Sequence, residues 1–243
     1  ITAEQSSVKK GESLLDTVRT IEALGAKVLV LRHWQSGAPY LVARYTRMAV
    51  VNAGDGWHAH PTQALLDLYT MRRHLGELKG RKVVIVGDIL HSRVARSNIW
   101  GLSALGAHVV LCGPPPFLPA GWRPNEGIGG SEGIDLPRVQ IETGLDQALE
   151  GAEVVMALRL QRERMQGAMA PSMREYVRLY QIDERRLSRA KPGALVMHPG
   201  PVNEGIELAP AVARSAQSVI DEQVTNGVAV RMAVLYLLAG REE

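Results

Sequence analysis

The run His60-Pro61-Thr62-Gln63 follows a glycine-rich turn, Asn52-Ala53-Gly54-Asp55-Gly56, and opens an amphipathic stretch. Pro61 suits the first position of a helix, where its missing N–H would be unpaired in any case. His60 is then the N-cap and Gln63 the third helical residue. Both side chains converge on the exposed N–H groups of the first turn, which suit a phosphate or a polarised carbonyl oxygen. The plainer reading is a histidine that merely closes its own helix.

Ligands of open α/β sheets sit beyond the carboxyl ends of the strands. Several polar residues fall at such ends. Arg32 ends the apolar run 27–31, Arg93 lies in the loop after Asp88, and Arg159 ends the run 154–158. Pro199 and Gly200 follow Met197. Arginine suits carboxylate and phosphate because its donors form a fixed fork. Singly, each arginine reads as a surface ion pair; together at strand ends they read as an anion site. Val86-Gly87-Asp88 resembles a dinucleotide-binding strand end, but no G-x-G-x-x-G follows it. There is no P-loop and no G-x-S-x-G elbow. The 7 histidines and single cysteine show no zinc spacing. Neither a cofactor nor a metal is expected.

The elements that must hold these residues alternate. Leu14, Leu15, Val18, Ile21 and Leu24 mark a helix ending near Gly25. The run 27–31 reads as a buried strand, 38–47 as a helix and 49–52 as a second strand. The hub helix carries Ala64, Leu68, Met71 and Leu75 on one face. Strands are expected at 82–88, 108–113, 139–142, 153–158 and 194–197, with helices between them. Asp183 and Asp221 are expected as helix caps, the second for a terminal helix with an apolar stripe of Val224, Val228, Met232, Leu235 and Leu238. This alternation predicts a doubly wound parallel sheet.

The bulk numbers agree with a globular α/β protein. The 243 residues suffice for one large or two small domains, and 46% hydrophobic content is ordinary for a core. Aromatic residues are only 5%, and the net charge of +3 is spread along the chain, which argues against nucleic acid. No apolar run is long enough to span a bilayer. Cys112 stands alone and forms no internal disulfide, which favours a reducing compartment, read as the cytoplasm.

Taken together, these segments resemble the catalytic chain of the aspartate/ornithine carbamoyltransferase superfamily, in its aspartate branch. The matching stretches are Ser6-Ser7-Val8-Lys9-Lys10-Gly11-Glu12, Leu31-Arg32-His33, Asn52 to Gly56 with His60 to Gln63, and Val86-Gly87-Asp88 with Ser92-Arg93. Leu158-Arg159-Leu160-Gln161-Arg162-Glu163-Arg164, His198-Pro199-Gly200-Pro201 and Gln223-Val224-Thr225-Asn226-Gly227-Val228 follow in order. The resemblance implies two doubly wound parallel-sheet domains joined by helices. A carbamoyl phosphate domain would span 1–75 and an aspartate-binding domain 76–219, with the helix 220–243 packing back on the first. It implies carbamoyl transfer from carbamoyl phosphate to L-aspartate in pyrimidine synthesis, without a covalent intermediate.

By position, Ser6, Arg32, His60, Gln63 and the backbone of Pro199, Gly200 and Pro201 would hold carbamoyl phosphate. Lys10, Arg93, Arg159 and Gln161 would hold aspartate and the departing phosphate. Arg32, His60 and Lys10 would be the catalytic groups. Ser6 and Lys10 would reach into a neighbour's site, which implies a homotrimer with shared sites, open to regulatory or dihydroorotase chains. The sequence departs from the family in lacking the Ser-Thr-Arg-Thr-Arg phosphate loop, the opening helices and the first strand. The first domain is therefore expected to be incomplete, as part of a longer chain. Trp34 replaces a frequent proline, Glu204 replaces a frequent arginine, and the Gly/Pro-rich segment 121–137 is longer than usual. A non-catalytic scaffold and an enzyme acting on another amine, such as ornithine, are the alternatives.

Overall fold

The computed structural model describes residues 13–119, 137–160 and 171–240. Ser6, Lys10, Gln161 and nearly all of segment 121–137 lie outside the described residues. Within them, β3 (Lys82–Val86) is the centre of the larger sheet. Its sequence KVVIV is apolar after the first residue, as a strand covered on both faces must be. The strand pairs in parallel with β4 (His108–Cys112) on one side and β6 (Val154–Ala157) on the other. β5 (Gln140–Glu142) and β7 (Leu195–Met197) complete the order β5-β4-β3-β6-β7. The chain winds outward from β3 to β5, then returns to β6 and winds the other way. β3 and β6 thus flank the point where the winding reverses, and the loops carrying Arg93 and Arg159 leave those two strands side by side.

Alternation along the strands builds two cores. Val84, Val86, Val155 and Ala157 face one side with Tyr176 of α6 (Met173–Tyr180) and Leu149 of α5 (Leu145–Leu149). Val83, Ile85, Val154 and Met156 face the other. There they meet Met71 of α3 (Pro61–Leu75) and Ile99 and Leu102 of α4 (Arg93–Ala104). Cys112 sits at the end of β4 with no exposed surface. Burial, and then the charge of Glu142, push its thiol up to about 12.

A smaller parallel sheet joins β1 (Val28–His33) and β2 (Ala49–Asp55). Val18 of α1 (Leu14–Ala23), Leu31, Val42 of α2 (Ala38–Ala43) and Met48 form its core. Two expectations need correction here. Arg32 lies inside β1 rather than at its end, because the strand runs on to His33. The helix expected to reach Arg47 stops at Ala43. The Arg47 and Met48 N–H groups instead donate to the side chains of Glu22 and Thr46, at 2.7 and 3.1 Å.

The remaining short helices are α7 (Glu184–Leu187), capped by Asp183 as expected, and α8 (Pro210–Ala213). The terminal helix α9 (Ile220–Ala239) begins one residue before Asp221, which therefore sits in the first turn and is not the cap. It packs against α3 with its polar face. Asn226 Nδ2 donates to Thr70 Oγ1 at 2.9 Å, and Gly227 allows close approach, since a Cβ there would lie 3.1 Å from Leu66. The expected apolar stripe faces outward, with Val224, Val228 and Met232 at 69%, 60% and 65% exposure. The physical reason is that α3 presents buried Asp67 and Thr70 to this contact. Only polar partners spare those groups the cost of unpaired burial.

Candidate active site

Asp55 organises the turn before α3. Its buried carboxylate accepts the Gly37 N–H at 2.6 Å, Asn52 Nδ2 at 2.8 Å, His58 Nδ1 at 3.0 Å and the Ala59 N–H at 3.1 Å. Burial opposes the charge, but the donors from Asn52, Gly37 and His58 more than offset it and hold the carboxyl below its usual range. His58 is therefore a structural partner of this turn. Gly54 adopts φ +114°, and a Cβ there would lie 3.0 Å from the Arg93 guanidinium carbon. Glycine is required both by the backbone and by the arginine resting on it.

The structure places His60 at the N-cap of α3, with Pro61 following, as the sequence predicts. Its side chain makes no capping hydrogen bond. The reading of a histidine that only closes its helix is not what the fold uses. Its backbone N–H donates to Ser97 Oγ at 2.8 Å, fixing the turn against α4. Burial, then the charges of Arg93, Arg32 and Arg231, lower its pKa to about 4. The imidazole is neutral at physiological pH. Ser92 caps α4 by accepting the Ala95 N–H at 3.1 Å, which sets Arg93 at the first helical position. Arg93 Nη1 reaches back to the Gly56 carbonyl at 3.3 Å. Arg32, from within β1, and Arg93, from the start of α4, thus both bear electrostatically on His60.

Arg231 is the arginine that the sequence pattern missed. It lies on α9, four residues beyond Gly227 and eight beyond Gln223, on the side that packs against α3. That spacing was the available signal.

Arg159 follows β6 and bears on a second histidine. His198, just after β7, is buried and has its pKa lowered to about 4 by burial and then by Arg159. Its Nδ1 accepts the Gly200 N–H at 2.9 Å, which shapes the turn His198-Pro199-Gly200-Pro201 with its cis Gly200–Pro201 bond. Leu160, beside Arg159, is clamped by buried Glu207. One oxygen of that carboxylate accepts the Leu160 N–H at 2.6 Å and Asn203 Nδ2 at 2.7 Å, and the other accepts the Asn203 N–H at 3.0 Å. Gln63 is buried, and its Nε2 donates to Asp67 Oδ1 at 3.0 Å. Among the described residues no group of His, Cys, Asp and Glu could hold a metal. The assembled groups are cations, a neutral imidazole and backbone turns. Such a set binds anions and stabilises negative charge on an oxygen.

Two family models match this chain. One is described as the Aspartate/ornithine carbamoyltransferase, carbamoyl-P binding domain, over residues 1–73. The other is the Asp/Orn binding domain of the same family, over residues 79–238. The chain belongs to the aspartate/ornithine carbamoyltransferase family. Within it, the chain is 61% identical to the aspartate carbamoyltransferase catalytic subunit of Chloroflexus aggregans, over 98% of this chain and 75% of that protein. It is 56% identical to the same subunit of Dehalococcoides mccartyi, over 100% of this chain and 71% of that one. Among solved structures, aspartate transcarbamoylase from Trypanosoma cruzi, in complex with carbamoyl aspartate and phosphate, matches with a TM-score of 0.78. It is 30% identical over 97% of this chain and 72% of its own. Ornithine carbamoyltransferase from Pyrococcus furiosus matches with a TM-score of 0.83. It is 26% identical over 99% of this chain and 75% of its own.

Proposed function

We propose that this chain transfers the carbamoyl group of carbamoyl phosphate to the amino group of L-aspartate, giving N-carbamoyl-L-aspartate and phosphate. The observation that carries this is the high identity, over almost the whole chain, to catalytic subunits of aspartate carbamoyltransferase. The fold alone does not choose the amine, since the ornithine enzyme superposes as well as the aspartate one. In the reaction the amine forms a C–N bond to the carbonyl carbon while the bond to the phosphate oxygen breaks. The departing phosphate takes the amine proton.

In this reading Arg32, His60 and the first turn of α3 receive the carbonyl oxygen as it gains charge, and Gln63 and the turn 199–201 hold the carbamoyl end. Arg93 and Arg159, with Lys10 and Gln161, hold the carboxylates of aspartate and the phosphate. Holding both substrates together supplies much of the acceleration. The smaller sheet and α3 then serve as the carbamoyl phosphate unit, 1–75, and the larger sheet as the aspartate unit, 76–219, with α9 returning to α3. The product is an early intermediate of pyrimidine synthesis. The lone buried thiol of Cys112 suits the cytoplasm, and no described helix is long and apolar enough to cross a membrane. Ser6 and Lys10 enter a neighbour's site in a homotrimer.

The test is a competition assay on the intact gene product, with aspartate and ornithine present together. Aspartate is the expected acceptor, because Arg93 and Arg159 repel a cationic amine side chain. Faster carbamoylation of ornithine overturns the assignment, and the same preparation should scatter light as three chains.

A further inference from the structure

A buried carboxylate that no step of the reaction consumes lies between the two halves of the site. Asp67, on the second turn of α3, has no exposed surface. Its Oδ1 accepts Gln63 Nε2 at 3.0 Å and Gln223 Nε2 at 2.8 Å, and its Oδ2 accepts Asn98 Nδ2 at 2.8 Å. Gln223 comes from α9, and its other amide atom, Oε1, accepts the backbone N–H of His198 at 3.0 Å. Three helices and the turn after β7 therefore meet at one side chain. We propose that Asp67 is a positioning residue that sets Gln63 and, through Gln223, the His198–Pro201 turn in one fixed relation, so that the two halves of the carbamoyl phosphate site keep their register. This inference rests on the function proposed above.

The donors leave little freedom. Gln223 must give its oxygen to His198, so its NH₂ must find an acceptor, and Asp67 is the acceptor it meets. Gln63 likewise turns its NH₂ to Asp67, which leaves Oε1, an acceptor suited to a carbamoyl NH₂, as its other end. An ionised Asp67 answers all three amides at once, whereas a protonated one loses acceptor capacity.

This arrangement is not the one that stability alone would choose. Among the described residues no lysine or arginine pairs with the carboxylate. α4 contributes the neutral Asn98, and α9 contributes Gln223 and, at longer range, the charge of Arg231. Burial raises the carboxyl to about 6 despite those donors. An acid whose folded pKa exceeds its unfolded value makes the fold less stable above that pKa, and the deficit disappears as pH falls. Asn98 Oδ1 has no partner among the described residues. An amide at position 67 could therefore pair with a turned Asn98 side chain.

The experiment is Asp67→Leu in the intact protein, with Asp67→Asn and Asn226→Ala beside it. Asp67→Leu removes the acceptor, Asp67→Asn keeps one oxygen for both glutamines, and Asn226→Ala loosens the α3–α9 contact but leaves the network intact. The KM for carbamoyl phosphate should rise at least about tenfold in Asp67→Leu and return to within about twofold of wild type in Asp67→Asn. Amide exchange at His198 should quicken in Asp67→Leu. A KM within twofold of wild type in Asp67→Leu, or a rise of the same size in Asp67→Asn or in Asn226→Ala, overturns the proposal. If Asp67→Leu fails to fold, Gln223→Met decides. It severs His198 from the carboxylate, and an unchanged KM and exchange rate overturn the relay. Wild-type preference for ornithine would overturn only the substrate assignment, since KM for carbamoyl phosphate still reads Asp67.

Discussion

Replacing His60 with alanine is expected to lower kcat roughly 100- to 1,000-fold, the range seen when one donor to a developing oxyanion is removed. The expectation follows from placement. His60 stands at the N-cap of α3, does not cap the helix with its side chain, and lies under the influence of Arg32, Arg93 and Arg231. Its neutral form still carries one N–H, so donation survives the lowered pKa of about 4. The wild-type rate should accordingly show no histidine limb between pH 5 and 8. A rate in His60→Ala within a factor of two of wild type ends this role. Stability follows the same groups. His60 and His198 are both held neutral, with pKa values lowered to about 4. The unfolded chain therefore binds more protons below its ordinary histidine pKa of about 6.5. Folding stability from these two is present above that pH and is lost as pH falls toward 4. Asp67 works in the opposite direction, one group against two.

Arg159→Ala is expected to raise the KM for L-aspartate about 100-fold while leaving that for carbamoyl phosphate near its wild-type value. A charge-assisted pair to a carboxylate contributes up to about 3 kcal/mol, and each 1.4 kcal/mol is about tenfold in affinity. Arg159 is exposed at the end of β6, while Leu160 beside it is pinned to Glu207 at 2.6 Å. The backbone that carries the guanidinium is therefore fixed even though the side chain is open to solvent. Lysine at this position should rescue little, because a point charge lacks the planar fork. Steady-state kinetics with each substrate varied in turn reads the split. An aspartate KM within twofold of wild type would remove Arg159 from the acceptor half.

Much of this site was legible because its residues follow strands. The apolar run ending at Val86 places Arg93 beyond a strand end without coordinates, and Pro61 fixes the start of α3; Arg93 was read in the loop after Asp88, whereas Ser92 caps α4 and puts Arg93 in its first turn. What could not be read was pairing. That β3 and β6 lie side by side, bringing the loops of Arg93 and Arg159 together, depends on strand order, which no local pattern encodes. Arg231 was hidden in a helix whose most visible feature is an apolar stripe. The helix turns that stripe outward because Asp67 and Thr70 need polar partners. The carboxylate of Asp67 collects amides from positions 63, 98 and 223, and contacts that distant in sequence leave no periodic trace. Arg32 was placed at a strand end but lies within β1, since the pairing of His33 with Asp55 carries the strand further than its hydrophobicity does.

The lone thiol at the end of β4 offers a way to time the opening of the molecule. Cys112 is sealed from solvent and held as the protonated thiol, and only thiolate reacts quickly with alkylating reagents. Iodoacetamide should therefore leave the native protein unmodified and add a single adduct once the larger sheet separates. The labelling rate, followed by mass spectrometry, then becomes a clock for that separation, with no engineered probe. Prompt alkylation under native conditions would mean that the sheet breathes far more than its packing suggests.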